Sequence, residues 1–82
     1  MGKEMTLLYD RTADILYINF IEPYPEQETE ELGDDVIVRL HPKTGDVENM
    51  EILFFSTRLL RNDLLKLPIT GSFHLIPSSA TK

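Results

Sequence analysis

The run Ile15-Leu-Tyr-Ile-Asn-Phe-Ile21 constrains the fold more than any other stretch of this chain. It is rich in β-branched and aromatic residues and too short for an ordinary helix. Pro23-Tyr24-Pro25 stops it, because proline cannot donate to a ladder and restricts the residue before it. Side chains alternate along a strand, so Leu16, Ile18 and Phe20 share one face and Ile15, Tyr17, Asn19 and Ile21 the other. Both faces are largely apolar, which predicts a central strand covered on both sides. The short apolar segment Met5–Tyr9 precedes it across Asp10-Arg11-Thr12-Ala13-Asp14, a turn-forming connection, so the two are expected to form a hairpin.

A second hairpin is predicted over residues 36–54. Val36, Val38 and Leu40 alternate inward with Arg39 outward, Pro42-Lys43-Thr44-Gly45 supplies the turn, and Val47 to Phe54 returns. The period then changes. Leu59, Leu60, Leu64 and Leu67 recur at helical spacing, Ser56 or Thr57 can cap the start, and Pro68 marks the stop. Residues 70–76 alternate again through Phe73 and Leu75, which suggests an extra strand. The expected fold is α+β: a four-stranded antiparallel meander of two hairpins packed against one C-terminal helix. It forms a single domain over residues 1–76, with 77–82 as a disordered end.

Charge is unevenly placed. The chain has 82 residues with 14 acids against 8 Lys and Arg, a formal net charge of −6. Glu22, Glu26, Glu28, Glu30, Glu31, Asp34 and Asp35 stand together without any intervening base, so the remaining 7 acids and 8 bases sum to +1. No basic cluster exists to neutralise phosphates, which argues against nucleic-acid binding. There is no apolar run long enough to span a membrane. Zero cysteines exclude disulfides, thiolate metal sites and thiol catalysis, and fit a cytoplasmic protein. A lone core at this size supplies only about 3–5 kcal/mol. A homo-oligomer, a dimer first, is therefore expected.

Tyr9-Asp10, Ala13-Asp14 and Leu16-Tyr17-Ile18 form a spaced pattern that resembles the opening Y-D-x-x-A-D-x-L-Y-I signature of the small domain of unknown function 2283. Asp35-Val36-Ile37-Val38, Gly45-Asp46-Val47, Glu51-Ile52-Leu53 and Ser56 resemble that family's later landmarks, in order. The likeness covers residues 5–56. Asn49-Met50 replaces a usual Gly-Ile, Phe54-Phe55 replaces a usual Asp-Ala, and Arg39 stands where an acid is common. The resemblance implies a small cytosolic β-rich domain without an established activity, and an antitoxin-like partner role.

Few residues invite chemistry. Asp10 and Asp14 could divide acid and base roles, but each also suits a turn: Asp10 in an Asx-type turn, Asp14 at the start of the next strand. Glu26, Glu28 and Glu30, spaced by two, would share one face of an extended segment. Such a row would dock a basic protein partner, hold a hard cation, or simply protect a sheet edge from aggregation. His41 and His74 are too far apart for a recognisable metal motif, and Ser56 and Ser72 lack a nucleophile-elbow context. Phe54 and Phe55 face opposite ways and are both expected in the core. No cofactor is implied. The sequence points to a non-enzymatic interaction module with Glu26, Glu28, Glu30, Glu31, Asp34 and Asp35 as its docking residues. The alternative is a small metal-dependent hydrolase using clustered carboxylates.

Overall fold

Asp10 builds the first turn. In the computed structural model, which describes residues 4–61 and 64–77, its Oδ1 accepts the backbone N–H of Thr12 at 3.0 Å and of Ala13 at 3.1 Å. Asp14 closes the turn at φ 61° and donates its N–H to the Asp10 carbonyl at 2.7 Å. Aspartate enters this left-handed region more readily than most residues. The turn joins β1 (Thr6–Asp10) to β2 (Ile15–Asn19), with Asp10 opposite Ile15 and Thr6 opposite Asn19, so the first expected hairpin is present.

Three further strands complete the sheet: β3 (Glu28–Gly33), β4 (Val36–Leu40) and β5 (Val47–Leu53). Their order is β1-β2-β5-β4-β3 and every neighbouring pair is antiparallel. The class is α+β as expected, but the sheet has five strands. The fifth is the acidic segment, not residues 70–76, which form no strand. An edge strand needs no alternating apolar pattern, which is why β3 escapes a search for one. Its turn to β4 is Asp34-Asp35, both at positive φ (53° and 63°), the backbone geometry that matches the twist of a two-residue hairpin. With β3 on the outer side of β4, β2 pairs with β5. The two predicted hairpins are therefore not joined as a simple meander.

Residues opposite one another across a ladder face the same way. Val36, Val38, Met50 and Ile52 on β4 and β5 are the buried apolar core among the described residues. β2 lies inside the sheet, yet each of its residues is only half-buried, so it is not covered on both sides as predicted. The covering layer is thin. The helix α1 (Phe55–Arg61) is shorter than the predicted 56–67 and buries no residue. A short helix is stable only where its apolar face is packed. Here Leu59, Leu60 and Leu64 are exposed, while Leu65 and Leu67 are half-buried. Phe54 is also exposed, at a positive φ that turns the chain from β5 into the helix, so only Phe55 packs inward, against the Tyr9 ring at 5.7 Å. Beyond the helix, residues 64–77 follow an irregular course that brings Phe73 onto Phe20 with ring centroids 5.8 Å apart. The predicted disordered end falls largely on residues 78–82, outside the described residues. No described helix is long and apolar enough to cross a membrane.

Candidate functional site

Asp14 ties the first hairpin to the start of α1. Its Oδ1 accepts the Tyr9 hydroxyl and the backbone N–H of Ser56 (3.0 Å), and its Oδ2 accepts the Ser56 hydroxyl (2.8 Å). The Asp14 carbonyl also accepts the Phe55 N–H at 3.1 Å. The helix is thus capped by a carboxylate 42 positions earlier in the chain, not by Ser56 or Thr57 as the sequence suggests. The Tyr9 hydroxyl and then Ser56 hold the Asp14 carboxyl below the usual carboxylate range. The same bond to Asp14 raises the Tyr9 hydroxyl above its ordinary value. A general base working near neutrality needs a carboxylate shifted upward and free to take a proton. Asp14 is shifted the other way, and its oxygens are already engaged. Asp10 is likewise occupied by its own turn.

A second cluster was not visible as a set in the sequence. The crossover from β2 to β3 spans the width of two intervening strands, and side chains fix it to a bulge in β5. Opposite β4 the register slips between Asn49 and Val47, leaving Glu48 unpaired at the bulge. Tyr24 donates its hydroxyl to Glu48 Oε1 at 2.7 Å, and Gln27 Nε2 donates to Glu48 Oε1 at 2.9 Å and to Asn49 Oδ1 at 2.7 Å. Asn49, only 1% exposed, passes the chain on by donating to Asn19 Oδ1 (2.9 Å) and the Ile21 carbonyl (2.7 Å). Desolvation pushes Glu48 upward, but hydrogen bonds from Gln27 and Tyr24, with His41 nearby, outweigh it and leave the carboxyl below its usual range. Bonding to Glu48 pushes the Tyr24 hydroxyl up to about 12. The sequence signal was Asn49 itself, a polar residue beside Met50 in the predicted return strand.

The six acidic docking candidates are spread rather than gathered. Glu26 sits in the turn before β3. Glu28 and Glu30 lie on β3 opposite Leu40 and Val38, and therefore on the core-side face. Glu31 lies opposite Ile37 on the other face. Asp34 and Asp35 form the hairpin tip, where Asp34 Oδ2 accepts Arg58 Nη1 at 3.3 Å. All six are exposed. Among the described residues, no group of three or more His, Asp or Glu is placed to hold a metal ion. His41 turns its Nδ1 to the backbone N–H groups of Lys43 and Thr44 (3.1 and 3.2 Å), shaping the β4–β5 turn that Gly45 completes at φ 78°. His74 and Ser72 are exposed on the irregular C-terminal segment. On the face away from the core, Arg39 makes a two-nitrogen contact with Glu51 Oε2 at 2.8 and 3.1 Å.

Residues 7–56 match the family described as protein of unknown function (DUF2283). The chain belongs to that family. No curated protein and no solved structure matches it. The matched span opens on β1 and closes at Ser56, the residue that bonds Asp14. The DUF2283 signature residues thus have structural work in this fold. Tyr9, Asp14 and Ser56 form one knot, Asp10 and Ala13 form the first turn, Gly45 forms another, and Leu16, Tyr17 and Ile18 lie on the interior strand β2.

Proposed function

We propose that this DUF2283 member is a non-enzymatic protein-interaction module that works as a homo-oligomer. The observation that carries this reading is the mismatch, among the described residues, between a core of four apolar side chains and the apolar surface left outside it. Leu60 is 86% exposed, Leu64 81% and Leu75 95%, with Leu7, Leu8, Leu59 and Phe73 each more than half exposed. A domain this small gains little from so thin a core, and covering some of these exposed side chains with a partner would supply the burial the core lacks. The shifts at Asp14 and Tyr9 run against acid–base chemistry, which speaks against the hydrolase alternative.

Sedimentation equilibrium of the full chain tests the proposal, combined with affinity recovery from its native cell. A dimer at micromolar concentration is the expected result. A strict monomer that recovers no stoichiometric partner overturns it. A second reading, docking of a basic protein along β3, is favoured by Glu28, Glu30 and Glu31, which form no ion pair among the described residues. It predicts a partner released by salt, since contacts between exposed charges are screened within about 10 Å at 0.1 M. A partner retained in high salt refutes it. The cysteine-free composition suits a cytoplasmic setting for either mode.

A further inference from the structure

The two edges of the sheet are built differently. On β3, Glu28 and Glu30 point to the core-side face and Glu31 to the other, and the register to β4 is broken by an irregularity near Gly33. Charge on both faces, inward-pointing carboxylates and a bulge are the devices by which natural sheets block further strand addition. β1 has none of them. Its sequence Thr6-Leu7-Leu8-Tyr9-Asp10 contains no proline and no charge before its last residue, and its register to β2 is unbroken. Leu7 and Leu8 point to opposite faces and are 61% and 62% exposed. The outer side of β1 is an open ladder flanked by unburied leucines.

We propose that β1 pairs antiparallel with β1 of a second copy, about a two-fold axis at Leu8, merging the two sheets into one. This rests on the homo-oligomer reading and names the surface that carries it. An isologous contact must be self-complementary, and this register is. Leu8 meets Leu8 of the second copy, Leu7 meets its Tyr9, and Thr6 meets its Asp10. Within Thr6–Asp10, where the ladder ends, no two like charges stand opposite each other. A β3–β3 contact would instead bring acids from both copies together. A β1–β3 contact is heterologous and leaves a free edge at each end of a pair, so it propagates unless its rotation happens to close a ring. Pairing five residues per copy covers on the order of 500 Å² on each side, less than the ~800 Å² of a standard interface. The dimer is therefore a reversible one, in the micromolar range.

The absence of cysteine gives a direct test, because one introduced thiol reports one contact. Residues opposite each other in a ladder have Cβ atoms about 4.5–5.5 Å apart, near the range a disulfide spans. The 82-residue chain carrying Leu8→Cys, at about 100 µM, well above a micromolar Kd, is expected to form a disulfide dimer under mild oxidation. Glu30→Cys on the opposite edge is expected to remain mostly monomeric. In parallel, Leu8→Glu should raise the dimer Kd by about 30-fold or more, since it opposes two carboxylates and removes two leucines from the contact. Leu8 is exposed in the free chain, and a far-ultraviolet circular dichroism spectrum unchanged by Leu8→Glu verifies the fold. If Leu8→Cys cross-links no better than Glu30→Cys, pairing through β1 is overturned. A wild-type dimer in that case leaves the oligomer reading intact on another surface. A wild-type monomer at the same concentration overturns both.

Discussion

Replacing Asn49 by alanine tests whether the polar network, rather than side-chain packing, holds the β2–β3 crossover to the sheet. Asn49 is the buried polar side chain among the described residues, and its amide joins Gln27 on one side to Asn19 and the Ile21 carbonyl on the other. Alanine leaves the Asn19 Oδ1 and the Ile21 carbonyl without that donor. Gln27 loses an acceptor but keeps Glu48 at 2.9 Å. A buried group stripped of its partner costs about 1–3 kcal/mol. Asn19 and Ile21 are only half-buried and can turn to water, so the lower part of that range applies to each. The sum is about 2–3 kcal/mol. A domain of this length has roughly 4–12 kcal/mol in total, so the loss is a substantial fraction. It should lower Tm by about 10–20 °C. Urea unfolding followed by circular dichroism, at matched protein concentration, should show a lower midpoint with an unchanged slope. Asn49→Asp is the control: it keeps the acceptor, loses the donor and adds a charge close to Glu48, so it should be worse at pH 7 than at pH 4. A change below about 0.5 kcal/mol for Asn49→Ala, the size of an ordinary surface substitution, would refute the reasoning.

Tyr24 has its pKa raised from 10.0 to about 12, so its contribution is fully present below pH 10 and is lost as pH rises through about 12. Tyr24→Phe should remove that alkaline phase from the tyrosinate absorbance titration and from the stability profile. Asp14 and Glu48 are shifted downward; their contributions are present above the unfolded carboxylate values near pH 4 and disappear as pH falls through the folded ones. Asp14→Asn should flatten the acid limb of a pH–stability curve, and an unchanged limb would exclude Asp14 as its source. Gly45 sits at φ 78° with no atom within 4 Å of an added Cβ, so Gly45→Ala meets backbone strain alone and should cost about 1–2 kcal/mol in urea unfolding. The double variant Glu28→Val, Glu30→Val should keep the fold but aggregate faster, measured by light scattering, since it removes the inward charges from the β3 edge.

The parts of the fold that could be read from the sequence are those where a single local rule dominates. Val36 and Val38 alternate because one sheet face is dry, and both are buried. Asp10 and Gly45 are turn residues with one obvious task each, and each performs it. The strand in the acidic segment was legible only in part: the spacing by two of Glu26, Glu28 and Glu30 allowed a charged sheet edge, but hydrogen bonding to β4 sets the strand and its own side chains add no apolar pattern to count it by. The leucine spacing in residues 59–67 overstated the helix. Periodicity reports which face would be buried if a partner surface were present, and within one chain that surface does not reach Leu59, Leu60 or Leu64. Asp14 was read as a strand-start residue, whereas its partner Ser56 lies 42 positions away. Long-range pairs of this kind have no signature in local spacing. The Tyr24–Gln27–Glu48–Asn49 network was missed for the same reason.

The acidic cluster, the most conspicuous feature of the composition, is best understood through the strand at the other end of the sheet. A five-stranded open sheet has two edges, and each edge must be blocked or paired. Seven of the fourteen acids fall in the segment that contains β3, and the structure places Glu28, Glu30 and Glu31 where they deter a further strand. Had the charge served only solubility, there would be no reason for it to gather on one edge while β1 keeps leucines on both faces. In the proposed dimer the asymmetry directs association. Blocking β3 prevents head-to-tail growth of sheets into filaments, and leaving β1 open permits one closed, two-fold contact. On this view the acids act by exclusion: they select which surface of the domain remains available, and removing Glu28 and Glu30 should convert a discrete dimer into open-ended assemblies.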